Sequence, residues 1–209
     1  MDYLKLYNLQ NKVLNEVFSI TKSFYLTGGT ALHRFYYDIR YSDDLDFFCV
    51  DEFFAYEIRE IINNLKEKFN IKIEVEAQFF RLLYVDGLKV DFVDTHFEPH
   101  FGKFLKKDNF IIDSKENIFV NKITAIMGRD EAKDIVDFYF LKQKENYNLK
   151  EYLQMAKEKM IFETEDFLFR LNTFPLEKIK NVNFKKVDYL NEILNNYKNF
   201  IENIKKEIL

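Results

Sequence analysis

Three aspartates, Asp43, Asp44 and Asp46, lie within four positions at the start of an apolar run. Because the side chains of a strand alternate between its two faces, we expect Asp44 and Asp46 to point to one side and Asp43 to the other. The Cα atoms of Asp44 and Asp46 would then lie about 6.6 Å apart, which lets both carboxylates reach one hard cation. The spacing predicts a site for Mg²⁺ or Mn²⁺, which would also offset the repulsion between the two like charges.

A third carboxylate, Asp91, comes from the run Leu-Lys-Val-Asp-Phe-Val-Asp. It alternates with Val90 and Phe92, so an acid projects from a strand whose neighbours are apolar, while Asp94 falls on the opposite face. If the two strands are adjacent, Asp44, Asp46 and Asp91 share one surface of the sheet. We expect Asp91 either to bind a second metal ion or to accept the proton of an attacking hydroxyl.

The pair Gly28-Gly29 takes two of the five glycines of the chain and directly follows a short apolar run. Glycine permits positive φ and close approach of the backbone, and amide groups at the start of a following helix bind anions. We expect Gly28, Gly29 and the hydroxyl of Thr30 to hold phosphates. Two simpler interpretations remain open, a structural turn at the glycines and a solvated loop or helix cap at the aspartates. The combination of both features is more specific than either one.

Two basic residues, Lys122 and Arg129, are seven positions apart on a predicted helix, so they lie almost one above the other. Lys122 falls inside an apolar arc, and such a cation needs an anionic partner. The partner is either a phosphate of a ligand or a carboxylate such as Asp134 or Asp137, which share a helix face. The arc comprises Ile118, Phe119, Ile123 and Ile126.

The composition restricts the class of protein. A chain of 209 residues that is 47% hydrophobic and 18% aromatic can bury a substantial core. The formal charge of −4 gives no overall attraction to nucleic acid or to an anionic membrane. One cysteine is compatible with a reducing compartment, and we see neither a signal peptide nor an apolar run long enough to span a membrane. We therefore expect a cytoplasmic protein.

Hydrophobic periodicity predicts an α+β domain followed by a helical region. In the first part we expect helices at about 2–20, 30–39 and 52–68 and strands at 24–26, 45–50, 71–77, 79–85 and 88–93, with the sheet ending near residue 95. Helices are expected at 114–127, 131–144, 149–160, 163–171 and 187–209. We place the domains at 1–112 and 113–209, with the boundary somewhere within 96–113.

Two separated motifs resemble the AbiEii/AbiGii toxin family of nucleotidyltransferases, which belongs to the DNA polymerase β-like superfamily. The first motif comprises Gly28-Gly29-Thr30-Ala31-Leu32 followed by Arg40, Ser42 and Asp44-Leu45-Asp46-Phe47. The second comprises Lys122, Ala125, Arg129, Lys133, Asp134 and Asp137. The resemblance covers about residues 20–145 and has Asp91 between the motifs.

The resemblance implies a nucleotidyltransferase-fold mixed sheet flanked by helices, with a divalent metal ion and an NTP donor. It also implies an RNA acceptor such as the 3′ end of tRNA, and a toxin encoded beside an antitoxin. By the same resemblance, Lys122 is the contact to the phosphates, and Arg40, Ser42, Arg129, Asp134 and Asp137 belong to the nucleotide site. Alternatives are transfer to a protein hydroxyl or a small molecule, or a silent nucleotide-binding module, although the intact set of motif residues argues against a silent copy.

Overall fold

A computed structural model describes residues 2–208. The chain divides into two compact units. The first extends up to Tyr36 and continues over Ser42–Ser114, and the second combines Tyr37–Tyr41 with the chain from Lys115 onward. Each unit has its own core and is described separately.

The first unit combines three helices with a mixed sheet. Its helices are α1 (Tyr3–Ile20), α2 (Gly28–Ala31), which continues as a π-helical turn (Leu32–Tyr36), and α3 (Phe54–Lys68). Its strands are β1 (Phe24–Thr27), β2 (Leu45–Cys49), β3 (Ile71–Ala77), β4 (Phe80–Val85), β5 (Leu88–Asp94), β6 (Leu105–Lys107) and β7 (Phe110–Ile112). Among residues 2–208 these strands form one seven-stranded sheet in the order β3-β4-β5-β2-β1-β7-β6.

The strand directions place the centre of the sheet where the acidic motifs lie. Strand β2 pairs antiparallel with β1 and parallel with β5, and β1 pairs parallel with β7. The remaining neighbours pair antiparallel, with the tight turn at Asp86-Gly87 joining β4 to β5. The strands that carry Asp46 and Asp91 are adjacent, which is the condition that the sequence analysis set for the two acids to share one surface.

Apolar and polar side chains alternate along the first part of β2 and of β5, so one face of the sheet is apolar there and the other is polar. Phe47 and Phe92 are register partners whose rings stack at 5.0 Å between centroids, and Phe18 of α1 packs against Phe47. Leu45 and Val90 are fully buried on this same face. Because the apolar residues of both strands share this face with α1, the alternate residues, among them the aspartates, are turned to the other face.

The second unit is helical. It comprises α4 (Lys115–Gly128), α5 (Ala132–Lys144), α6 (Leu149–Lys159), α7 (Thr164–Thr173), a 3₁₀ turn (Leu176–Asn181) and α8 (Val187–Ile208). Phe138 of α5 lies at the centre of its core, where its ring stacks on Phe119 at 5.1 Å and meets Phe167 and Phe200 edge-on. Residues 134–141 of α5 are all buried, so every polar side chain in this stretch needs a partner inside the unit.

Two of the predicted elements are wrong in extent. The helix after Gly29 ends at Tyr36 rather than near residue 39, and the sheet does not end near residue 95, because β6 and β7 extend it to Ile112. Each of these strands has three residues, and Asp108 in the turn between them adopts a φ of 54°. Strands this short show too little alternation for a period to be recognised. Within residues 2–208 no helix combines the length and apolar character needed to cross a membrane.

Candidate active site

Asp46 and Asp91 lie side by side on the polar face of the sheet. They are register partners in the parallel pair β2–β5, and Thr27 of β1 is the antiparallel partner of Asp46. Partners of this kind project to the same face from strands about 4.8 Å apart. Asp44 directly precedes β2 and is half-buried, as is Asp46, so both carboxylates keep partial access to solvent. The exposed residue of the cluster is Asp43.

Gly28 lies against the Asp46 carboxylate and has a φ of 69°. A Cβ at this position would lie 2.3 Å from Oδ2 of Asp46, a distance that no real Cβ contact reaches. Positive φ is also unfavourable for residues with a side chain. Glycine is therefore required here both for the backbone conformation and for the space that the carboxylate occupies.

Three polar side chains fix the segment that carries Asp44. Gln10 of α1, fully buried, donates from Nε2 to the carbonyl oxygens of Ser42 (3.0 Å) and Asp44 (3.4 Å). The hydroxyl of Thr30 donates to the carbonyl oxygen of Asp44 at 2.6 Å, and the hydroxyl of Ser42 donates to Oδ1 of Asp44 at 3.3 Å. The Thr30 hydroxyl, which the sequence prediction assigned to a phosphate, thus holds the backbone of the acidic segment.

Lys89 faces the same carboxylates. Its Nζ lies 2.5 Å from Oδ2 of Asp91, two positions further along β5. Burial lowers the pKa of Lys89, but the hydrogen bond to Asp91 and the charges of Asp91, Asp46 and Asp44 outweigh it, and the pKa is raised. The ammonium is therefore charged, and it attracts the carboxylates of all three aspartates.

A buried aspartate at the end of β7 supports the strand that precedes Gly28. Asp113 is fully buried and accepts hydrogen bonds from the hydroxyl of Thr27 (2.5 Å) and from Nε2 of His100 (2.9 Å). Its backbone carbonyl accepts a further hydrogen bond from the hydroxyl of Tyr36. Asp113 therefore connects β1, the 95–104 loop and the π-helical turn that follows the helix of the two glycines.

The carboxylates on this face are suitable ligands for a magnesium ion whose remaining ligands are supplied by the substrate. Carboxylate oxygens are the ligands that Mg²⁺ prefers, and this ion usually takes one or two of them together with water and substrate phosphates. Among residues 2–208, no three acidic, histidine or cysteine side chains lie close enough together to enclose a metal ion. The adjacent Asp46 and Asp91, with the Gly28 backbone held against Asp46, fit an ion whose remaining ligands come from a nucleotide.

The motif residues of the second unit form a buried ion-pair network. Arg40 binds both oxygens of Asp137 at 2.7 Å, and Nζ of Lys122 lies 2.7 Å from both Asp134 and Asp137. Arg129 contacts Asp134 through Nε at 2.7 Å. Both aspartates are fully buried and Lys122 is 7% exposed, whereas Arg129 is 54% exposed. These contacts join three cations to two carboxylates.

This pairing matches the carboxylate alternative that the sequence left open for Lys122 and Arg129. Burial lowers the pKa of Lys122, but the charges of Asp134 and Asp137 together have the larger effect, so the pKa is raised overall and the ammonium is charged. Burial raises the pKa of Asp134, but Lys122 and Arg129 more than reverse this, and the pKa falls below its ordinary value. The stability of the second unit therefore depends on the protonation states of the residues in the network.

We expect the stability of the protein to depend on pH through Asp134. Because its folded-state pKa is lowered from 3.8, its stabilising contribution is present above about pH 4 and is lost as the pH falls through the lowered value. Asp134→Asn should reduce the free energy of unfolding at neutral pH and flatten its decrease below pH 4. Urea unfolding between pH 2.5 and 7 measures both effects. Glu158→Gln, at an exposed position of α6, is the matched control and should leave the pH profile unchanged.

The predicted site residues therefore fall into two groups, one in each unit. The first unit contains Gly28, Gly29, Thr30, Ser42, Asp44, Asp46 and Asp91. The second unit contains Arg40, Lys122, Arg129, Asp134 and Asp137. Sequence reasoning missed Gln10, Lys89 and Asp113. Gln10 gave a usable signal, since it lies four positions after Leu6 and three before Val13, within the apolar stripe of α1.

Comparison with known proteins identifies the class. The model of the family described as nucleotidyl transferase AbiEii toxin, type IV TA system, matches residues 13–207. An uncharacterized protein of Aquifex aeolicus (strain VF5) is 31% identical over 160 residues, which cover 74% of this chain and 76% of the relative.

Solved structures show the same fold. JHP933 from Helicobacter pylori superimposes with a TM-score of 0.57 at 21% identity, covering 85% of this chain and 92% of that one. ANT(2″)-Ia in complex with adenylyl-2″-tobramycin gives a TM-score of 0.55 at 16% identity, covering 73% of this chain and 95% of that one. At these identities the likeness concerns the fold.

The family match and the fold together define a nucleotidyltransferase. Within this class, the chain belongs to the AbiEii nucleotidyl transferase toxin family.

Proposed function

We propose that the protein transfers a nucleoside monophosphate from an NTP to the 3′ end of tRNA in a metal-dependent reaction, as the toxin of a toxin–antitoxin pair. The observation that carries the proposal is the placement of Asp46 beside Asp91 on the open face of the sheet, next to the close approach of Gly28. Membership of the AbiEii toxin family supports the nucleotide donor and the antitoxin partner.

Asp44 and Asp46 would hold Mg²⁺ or Mn²⁺ on this face. When bound, the ion supplies positive charge to the triphosphate and stabilises the charge that develops on the leaving pyrophosphate. Gln10, Thr30 and Ser42 keep the Asp44 segment in place through the hydrogen bonds described above, so the carboxylates are positioned before substrate binds. This preorganisation is a large part of what a phosphoryl-transfer enzyme has to supply.

Asp91 is assigned to the acceptor. Its position beside Asp46 places a carboxylate where it could accept the proton of the attacking hydroxyl or bind a second metal ion, once Lys89 has moved away from it. Gly28 and Gly29 would hold phosphates through their backbone amides. For Lys122 and Arg129 the assignment to phosphates comes from the resemblance of the motif to the family, whereas in the structure both cations bind buried carboxylates.

The acceptor has two competing candidates, a small molecule and a protein hydroxyl. ANT(2″)-Ia, which shares the fold, was solved with adenylyl-2″-tobramycin, an adenylylated small molecule. A small molecule or a protein hydroxyl could therefore replace RNA without any change in the donor chemistry. We favour RNA because the resemblance of the two motifs to the AbiEii/AbiGii family implies an RNA acceptor.

The test is to identify what becomes labelled. Each α-labelled NTP is incubated with the protein, Mg²⁺ and one of three fractions of a bacterial lysate: total RNA, total protein or small molecules. We expect label from a preferred NTP in RNA of tRNA size, and none when EDTA is present. Label in the protein fraction or in small molecules would change the acceptor but keep the transferase, whereas no transfer from any NTP to any fraction would contradict the proposal.

A further inference from the structure

Lys89 lies at the carboxylate site without a part in the chemistry proposed above. It precedes Asp91 by two positions in β5 and therefore shares its face, and Nζ lies 2.5 Å from Oδ2 of Asp91. Since Leu45 pairs with Val90 in the parallel register, Asp44 and Lys89 flank this pair at the start of the two strands. The side chain of Lys89 is 38% exposed, whereas that of Asp91 is 13% exposed.

An ion pair at this position has an electrostatic consequence. An ammonium group bound to Asp91 attenuates the negative potential that the three carboxylates present, and it repels any dication that approaches them. The same ammonium is attracted by a triphosphate, which carries several negative charges. A lysine side chain is long and flexible, so it can leave a carboxylate for a phosphate without movement of the backbone.

We propose that Lys89 is a displaceable counter-ion of the carboxylate site, which keeps a divalent ion weakly bound until the ion arrives with a nucleotide whose phosphates take over the ammonium. The inference depends on the proposed function, because it assumes that Asp44, Asp46 and Asp91 bind the metal. Metal binding and nucleotide binding are then coupled through one side chain, and each ligand increases the affinity for the other.

Lys89→Met tests the inference, since methionine keeps the apolar stem and removes the charge. Binding of Mn²⁺ to the full chain is followed by the electron paramagnetic resonance signal of free Mn²⁺, with and without a non-hydrolysable NTP analogue. Without nucleotide, the variant should bind Mn²⁺ at least about tenfold more tightly than the wild type, because a positive charge close to the dication is gone. The increase in affinity on adding the analogue should be larger in the wild type than in Lys89→Met.

Three controls make the result specific. Lys89→Arg keeps the charge and should behave as the wild type, and Lys89→Gln repeats the charge removal if Lys89→Met is unstable. Lys66→Met removes the same charge from an exposed position of α3 and should leave Mn²⁺ affinity unchanged.

Asp46→Asn separates failure of this inference from failure of the metal site. Equal Mn²⁺ affinity in the wild type and Lys89→Met, with weaker binding in Asp46→Asn, overturns the role of Lys89 and leaves the metal site standing. If Asp46→Asn changes Mn²⁺ binding neither alone nor together with Lys89→Met, the metal site itself is wrong and the inference is overturned with it.

Discussion

Asp46→Asn is expected to reduce nucleotide transfer at least about a thousandfold, which corresponds to about 4 kcal/mol of transition-state stabilisation. The change keeps the size of the side chain and its contact with Gly28 but removes a charge that the proposed metal ion requires. Folding should be retained, since one of several neighbouring negative charges is lost. Incorporation of α-labelled NTP into RNA measures the loss, and thermal unfolding measures stability.

Asp43→Asn is the matched control for this variant. It removes the same charge from the same segment. Asp43, however, is exposed, whereas Asp46 lies on the polar face of the sheet. We expect activity close to that of the wild type, and we expect growth arrest on expression in a bacterial host to follow the same order as the transfer rates. Transfer by Asp46→Asn at the rate of Asp43→Asn would exclude Asp46 from the catalytic site.

Lys122→Met is expected to destabilise the protein by about 3 kcal/mol, because it leaves two buried carboxylates without the cation that bridges them. Arg40 and Arg129 remain on Asp137 and Asp134, so the effect should lie at the lower end of the usual range for a broken buried ion pair. Denaturant unfolding measures it as a shift of the midpoint at constant slope.

Lys198→Met, at an exposed position of α8, provides the comparison. It should change the free energy of unfolding by no more than about 0.5 kcal/mol. If Lys122→Met is no less stable than this control yet loses transferase activity, the lysine acts on phosphates rather than as a structural bridge. If Lys122→Met is unstable and Lys122→Arg is as stable as the wild type, the charge of residue 122 serves the ion-pair network.

The architecture could be predicted from the sequence where hydrophobic patterns are long. The helices now numbered α1, α3 and α4–α8 and the strands β3–β5 were found within about two residues of their bounds, which is the usual uncertainty of element ends. Strands β6 and β7 were missed because three residues cannot establish a period, and Lys106 and Lys107 resemble a solvated loop. Their pairing depends on β1, some eighty residues earlier in the chain, which local patterns do not reveal.

Only the site residues that can be recognised from residue type and local spacing were predicted from the sequence. Asp44, Asp46 and Asp91 were chosen because alternation places a charge among apolar neighbours, and the sheet register brings Asp46 and Asp91 together. Lys89 follows the same alternation, but a half-exposed lysine in a strand is ordinary, and its partner becomes visible only with the side-chain geometry. Asp113 was missed because its partners, Thr27 and His100, come from distant segments.

The contact of Gly28 with Asp46 makes two distant positions of the gene depend on one another. A Cβ at position 28 and the carboxylate at position 46 would occupy the same space, so a smaller residue at the aspartate relieves the clash of Gly28→Ala but leaves the strain of the positive φ. That second change removes the charge on which the proposed transfer depends. Revertants of a Gly28→Ala mutant that recover stability should therefore remain inactive, and recovery of activity should require restoration of glycine itself.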